Sequence, residues 1–362
     1  MELKEKFKSI FQNKIVGGSV VFIQNNDHFE YHYGYRSLIE NKPVEEDTIF
    51  RIASISKVIV GIGAVRLVEM GLLDLDEDIS DIFGFKIINH QFPDIPITTR
   101  MLMLHTSSIT DGPNNNGNIG YNGVNGEHYY VDLKDLLVNQ HSEFYAKNTY
   151  SDFAPGQKYN YSNFGTGIIA CIIEKRSKQL FTEFIENEFF KPLHMDASFK
   201  AKNIIKQEKI SDAFIGFVTN KTGKAFIDST YPDFSLGNNF RGPAGGMFVS
   251  SNDLSKIMIA MMNDGMVQNT QILNKQSVDN LLAMGVLAKR YIQDKQITLQ
   301  GATGGAYGIS SVMYFSKQKK TGVCFVANGG NYLPAPTGLN DVQEAVIDVL
   351  ISELDEKNKI DR

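Results

Sequence analysis

Ser54 and Lys57 stand three residues apart in RIASISKVIVGIGAVRLVEMG, a spacing that puts both side chains on one face at the start of a helix. Val58, Ile59, Ile62, Val65 and Leu67 make the rest of the segment apolar, and Gly71 stands where a helix would end. A lysine in such surroundings has a partner or a task. A serine hydroxyl is a poor nucleophile at neutral pH and needs a base within hydrogen-bond reach. Lys57 meets that need without a histidine, provided burial or a neighbouring group lowers its pKa. The helix N-terminus also favours negative charge on the serine oxygen, by up to about 1 kcal/mol. A second S-x-x-K match, Ser316 to Lys319, falls in a polar turn and reads as chance, since about one or two such matches are expected at this length.

Tyr161-Ser162-Asn163 is the only Y-x-N in the chain and opens another helix after the turn residues PGQKYN. A tyrosine hydroxyl can relay the serine proton, and an amide can hold Lys57 or a substrate carbonyl. The structural alternative is a buried tyrosine followed by a capping asparagine. Cys171 and Cys324 lie in apolar runs and read as small buried hydrophobes. Apart from His28 and His32, the histidines form no HxxxH or HxH pair. No metal or other cofactor is expected.

The elements that must position these residues follow from the pattern. MELKEKFKSIFQNK is an amphipathic helix through Leu3, Phe7, Ile10 and Phe11, with no signal-peptide core. GGSVVFIQNN and HFEYHYGYRSL alternate as two antiparallel strands around an Asn-Asn-Asp turn. Residues 50 to 71 carry the Ser/Lys helix, and residues 97 to 110 read as a short helix running into a loop. DGPNNNGNIGYNGVNGEHYY is too rich in Asn and Gly for regular structure and reads as a long loop, with 111 to 126 expected to rim a cleft. FTEFIENEFFKPL is a helix stopped by Pro192, and SSNDLSKIMIAMMNDG is one capped at Ser250 and ended at Gly265. ISSVMYF and GVCFVAN are strands joined by SKQKK. LNDVQEAVIDVLISEL closes the chain as a helix with Val342, Ala345, Val346, Val349 and Leu350 inward.

The expected class is therefore α/β (α+β): an antiparallel sheet built from N- and C-terminal strands, flanked by helices, plus a helical region. Residues 1–362 form a single catalytic unit, with 1–75 and 165–362 mainly sheet region and 76–164 mainly helix and loop. A net charge of -5 without basic runs excludes nucleic acid and acidic membranes as expected partners. No apolar stretch is long enough to span a bilayer, and a cytoplasmic location is expected.

Five longer segments carry a resemblance. TIFRIASISKVIVGIGAVRLVEMGLLDLDEDIS, ITTRMLMLHTSSI, PGQKYNYSNFGTGIIACIIEK, FFKPLHM and GPAGGMFVSSNDLSKIM resemble, in order, motifs of the serine β-lactamase-like superfamily. That superfamily holds class C β-lactamases, D-Ala-D-Ala carboxypeptidases, D-aminopeptidases and related esterases and acyltransferases. Ser108 replaces the glycine of a usual His-Thr-Ser-Gly, and His194 the glycine of Pro-Leu-Gly-Met. The resemblance implies a β-lactamase/transpeptidase-like fold, Ser54 as acylated nucleophile, Lys57 and Tyr161 as proton-transfer pair, and Asn163 as polar support.

The third motif departs from the pattern. Lys320-Thr321-Gly322 imitates Lys-Thr-Gly but falls in a turn. QGATGGAYGISSVMYF resembles His-Thr-Gly-Gly-x-x-Gly-x-Ser-Ser, with Ala302 in the cation's place beside Thr303 and Gly304. In the class C register Leu299 would stand there instead, and neither residue carries charge. The oxyanion hole would be the Ser54 N–H plus that of Gly305, or of Ala302 in the other register, such a donor being worth roughly 3–4 kcal/mol. A substrate carboxylate would lack its partner unless an arginine such as Arg241 supplied one, which favours neutral esters or amides. The expected activity is a serine hydrolase forming an acyl-Ser54 intermediate on small esters, amides or peptides. The alternatives are a penicillin-binding carboxypeptidase, D-aminopeptidase or β-lactamase, and a non-catalytic binding protein of the same fold. The oligomeric state is not legible.

Overall fold

A computed structural model describes residues 2–25, 27–113, 119–123, 131–292 and 296–356. The chain divides into two units: Met1–Val58, Glu186–Tyr231 and Gly245–Arg362 form the first, Ile59–Ile185 and Pro232–Ala244 the second.

The first unit is built on a seven-stranded sheet. Its order is Ala288–Ile292, Ile297–Ala306, Ile309–Ser316, Thr321–Gly330, Ile15–Gln24, Asp27–Ser37 and Lys42–Pro43, with every neighbouring pair antiparallel. The mixed α and β architecture, with strands from both chain ends in one sheet, is the expected one. The N-terminal strands meet through Asn25, in left-handed backbone at φ 55°; Asn26 of the expected turn lies outside the described residues.

The terminal helices Leu3–Phe11 and Asp341–Glu356 cover one sheet face. Phe7, Phe11, Val346 and Leu350 pack there on Val20, Phe22, Val323 and Phe325, and the Phe11 and Phe325 rings stack at 5.0 Å. Helix Ser251–Met262 packs on the central strands as well, Met258 Sδ lying 3.7 Å from Cys324 Sγ. Thr321–Gly330 is consequently buried along its whole length, and it reads as a continuous apolar run rather than an alternating one. Burial also pushes the Cys324 thiol well above its ordinary pKa, in line with a hydrophobic role. Among the inward positions of the last helix, Ala345 is only half-buried and polar Gln343 is buried.

The second unit is helical. Helix Asn163–Ser177 runs through it, buried from Phe164 to Glu174, as expected of a central helix that is apolar all round. Gly167 lets the backbone of Phe240 pass where a Cβ would overlap its carbonyl. The buried carboxylate of Glu174 ties three segments together, accepting from Phe181 N (3.0 Å), Gly237 N (2.6 Å) and Asn239 Nδ2 (2.9 Å).

Two local expectations need correction. The Ser/Lys segment is not one helix from residue 50. Phe50–Arg51 pairs as a short strand with Phe248–Val249, Ala53–Ile55 is a 3₁₀ turn, and the α-helix runs Ser56–Glu69. The Asn/Gly-rich stretch is not wholly irregular, since Gly120–Gly123 makes one helical turn; its residues 114–118 and 124–130 lie outside the described residues.

Candidate active site

The sequence-singled residues fall into two groups, one on each unit. On the sheet unit, Ser54 sits in the 3₁₀ turn and Lys57 in the first turn of the α-helix, both part-buried. The Lys57 Nζ donates to Ser54 Oγ across 3.2 Å. The pair therefore meets across a junction of two helix types rather than along one α-helix.

That junction is tightly prescribed. Ala53 has φ 49°, left-handed backbone that costs a non-glycine residue about 1–2 kcal/mol. A set of hydrogen bonds, most of them neutral, holds it there. Ser56 Oγ donates to Ala53 O (2.6 Å) and accepts from Met247 N (3.2 Å). Ile52 N donates to Met247 O (3.0 Å), and Ile52 O accepts from Ser311 Oγ (2.8 Å). Arg51 Nε reaches Gly245 O (2.9 Å), with its guanidinium 5.4 Å from the Tyr307 ring centre.

Strand Ile297–Ala306 carries Ala302, Thr303, Gly304 and Gly305. Its pairing with Ala288–Ile292 ends at Gly301, so the next residues run on beyond that neighbour. Gly304 comes up against the Ser54 turn: a Cβ there would overlap Ser311 Oγ and stand 2.5 Å from Ile52 O and 2.9 Å from Ser54 N. Only glycine permits that approach. At Gly305 a Cβ would meet nothing within 4 Å. The Gly304 carbonyl is held from below by Gln343 Nε2 (2.9 Å), which also reaches Ser311 O (3.1 Å). Leu299, the alternative occupant of the cation's place, is fully buried in the sheet–helix core. Lys320 sits in the turn at φ 48° and donates to Met262 O. Gly304 pairs with Ser311 while Ser316 pairs with Thr321, so Lys320-Thr321-Gly322 lies at the opposite end of these strands.

On the helical unit, Tyr161 is 43% exposed, which disposes of the buried-tyrosine alternative. The capping residue is Ser162, whose Oγ accepts from Gly165 N at 2.9 Å, not Asn163. Asp111 organises the motif. Its Oδ1 accepts from Ser162 Oγ (2.9 Å) and Phe164 N (2.8 Å), and its Oδ2 from Asn163 Nδ2 (2.8 Å). The His105 ring packs on Tyr161 at 4.7 Å between centres, its Nδ1 accepting from Ser162 N at 3.3 Å. Neither Asp111 nor His105 is marked by the sequence as a functional residue; the one available signal is that His105 opens the HTSSI segment and Asp111 follows it two residues on. Arg241, considered as a substitute cation, donates to Tyr121 O (3.0 Å) and lies over the Tyr121 and Phe240 rings.

Ser108, at the family glycine's place, has φ 64°, and His194, at the other, φ 51°. Both replace glycine where left-handed backbone explains the glycine. Among the described residues no helix is long and apolar enough to cross a membrane.

Comparison with known proteins bears on the family and the fold. The chain is 25% identical over 233 residues to penicillin-binding protein 4* of Bacillus subtilis (strain 168), covering 62% of this chain and 47% of that protein. It is 25% identical over 329 residues to protein flp of Staphylococcus aureus (strain MRSA252), covering 88% and 61%. It thus spans about half to three fifths of the length of these curated relatives. Among solved structures, the D-amino acid amidase from Ochrobactrum anthropi SV3 superposes with a TM-score of 0.71 at 19% identity, covering 99% of this chain and 100% of that one. A class C beta-lactamase does so with a TM-score of 0.66 at 19% identity, over 97% and 95%; at such identity these two establish the fold. The profile of the Beta-lactamase family matches residues 3–346, and with nearly the whole chain so covered, the protein belongs to that family.

Proposed function

We propose that the protein is a serine hydrolase that passes through an acyl-Ser54 intermediate on small neutral esters or amides. The observation that carries this reading is the Lys57 Nζ, 3.2 Å from Ser54 Oγ, on a turn held in left-handed backbone beside a glycine-only strand position.

In the proposed reaction Ser54 Oγ attacks the substrate carbonyl carbon while its proton passes to Lys57 or Tyr161. The oxyanion forms against backbone N–H groups, those of Ser54 and Gly305 being our assignment. The crowding at Gly304 beside Ser54 N, the open space at Gly305 and the burial of Leu299 favour the register with Ala302 in the cation's place. The C–O or C–N bond then breaks, and the leaving alkoxide or amine takes the proton back. Water, giving up a proton to the same groups, attacks the acyl-Ser54 ester; the C–Oγ bond breaks, Ser54 Oγ takes that proton back, and the acid is released. Asn163 supports the proton-transfer groups.

Ala302 brings no charge to a substrate carboxylate, which supports neutral substrates over β-lactams and peptide C-termini. The names of its relatives, penicillin-binding protein 4* and D-amino acid amidase, support amide or peptide substrates as the second reading. The test is p-nitrophenyl butyrate hydrolysis by wild type and Ser54→Ala in parallel. Turnover by the wild type and background rates in the variant are expected. If both are inert, a labelled penicillin decides: covalent label on Ser54 transfers the reading to the peptidase branch, and absence of label ends it.

A further inference from the structure

Asp111 lies about fifty residues from Tyr161-Ser162-Asn163 in sequence, yet every hydrogen bond of its carboxylate given above goes to that motif or the residue after it. A carboxylate only accepts, so Asn163 must turn the NH2 end of its amide to Asp111 and its Oδ1 the other way. This settles an orientation that atom positions alone leave ambiguous.

We propose that Asp111 is a positioning residue that fixes the Asn163 amide with its oxygen, an acceptor, as the end turned away from Asp111. The inference rests on the acyl-serine reading above and refines it. Asn163 is then suited to receive an N–H or O–H there, and its oxygen is not available to turn away and leave the amide nitrogen in its place. The same carboxylate accepts from Phe164 N in the first turn of the fifteen-residue helix Asn163–Ser177, so negative charge is placed where the helix dipole welcomes it. Ser162 Oγ is shared between Asp111 and Gly165 N, which locks the residue between Tyr161 and Asn163. One side chain thus sets both the start of the helix and the direction of the amide.

The test compares wild type, Asp111→Asn, Asn163→Asp and the double exchange. In Asp111→Asn the new amide keeps its oxygen on Phe164 N and Ser162 Oγ and turns NH2 toward Asn163. Two NH2 groups cannot face each other, so Asn163 flips and offers N–H where it offered oxygen. The expected result is a kcat on p-nitrophenyl butyrate lower by about ten-fold or more, out of the roughly 10²- to 10⁴-fold that positioned proton transfer contributes. KM should change little, and the pH–rate profile should shift. In the double exchange the carboxylate at position 163 accepts from the amide at position 111 and keeps an acceptor facing outward. Most of the lost kcat should return. An Asp111→Asn variant with wild-type kcat and profile, or a double exchange no better than the single at an unchanged urea midpoint, overturns the proposal. The side-chain amide protons of Asn163 in 15N spectra supply a readout independent of turnover: slow exchange in wild type and fast exchange in Asp111→Asn are expected. A wild type that neither turns over ester nor takes a penicillin label while keeping slow exchange sinks the acyl-serine reading alone; fast exchange in wild type sinks this one.

Discussion

Around Ser54 the backbone is fixed by crowding and mainly by neutral hydrogen bonds, whereas around Tyr161 a carboxylate gathers most of the bonds and the His105 ring takes one more. The Ala53 turn receives its constraints from Ser56, Met247 and Ser311 and is pressed by Gly304. The Tyr161 turn depends on three donors converging on Asp111, with the His105 ring alongside. A nucleophile must hold its place to a fraction of an ångström against an oxyanion site, and steric contact is the stiffer spring for that purpose. A proton-transfer group needs the right partner and polarity more than the last tenth of an ångström, and a charged hydrogen bond gives polarity. The two regions should therefore fail to different insults: the first to added volume, the second to altered charge.

The largest effect is expected from added volume at Gly304. Gly304→Ala puts a methyl group against Ile52 O and Ser54 N, 2.5 and 2.9 Å away if nothing moves. Neither neighbour is a flexible side-chain end, so the turn itself must shift. A displacement near 1 Å costs about 10²-fold in rate, and overpacking of this kind costs about 1–3 kcal/mol of stability. Gly305→Ala is the control, because its methyl group enters open space and should leave the urea midpoint unchanged. Equal urea midpoints for the two variants would show that crowding does not hold the Ser54 turn.

A charge on the helical unit gives the next test. Burial pushes the Glu174 carboxyl above the usual glutamate range, although Phe181, Gly237 and Asn239 donate to it and pull the other way. A carboxyl whose folded pKa is raised contributes stability that is fully present below its unfolded pKa, about 4.3. That contribution is lost as pH rises through the folded value. Wild type should accordingly lose stability relative to Glu174→Gln as pH climbs from about 4.3, whatever the offset between the two at the starting pH. Urea titrations at several pH values read this directly, and a pH-independent difference would mean that the burial is offset in full by its three donors.

What the sequence made legible follows the same divide between local and long-range causes. The Ser54–Lys57 pairing, the continuous apolar strand Thr321–Gly330 and the Ser250 cap are written in neighbouring residues, and each stands in the structure. Lys320-Thr321-Gly322 could be set aside because SKQKK already announces a turn. Asp111 could not be found, since a lone aspartate in an Asn/Gly-rich stretch has no periodicity and its partners lie far along the chain. Strand Ala288–Ile292 and helix Lys275–Met284 escaped as well. The strand is an edge with a largely exposed, charged face, so apolar alternation never develops. The left-handed Ala53 was equally hidden, because alanine gives no sign of φ 49° and only the converging hydrogen bonds enforce it.

The two replaced glycines compare the units at the smallest scale. Ser108 on the helical unit is buried, and its Oγ accepts from Asn89 Nδ2 at 3.1 Å. His194 on the sheet unit is exposed. Each stands in left-handed backbone, at a cost of about 1–2 kcal/mol for a side chain, against which glycine's extra freedom in the unfolded chain weighs about 0.5–1 kcal/mol. His194→Gly should therefore stabilise the protein by up to about 1 kcal/mol, seen as a higher urea midpoint at unchanged slope. Ser108→Gly relieves the same backbone but removes an acceptor from buried Asn89, a loss on the order of 1 kcal/mol, and should come out near neutral. If His194→Gly gains nothing, the His194 ring makes contacts worth as much as its strain; if Ser108→Gly gains as much as His194→Gly, the Asn89 bond contributes no net stability.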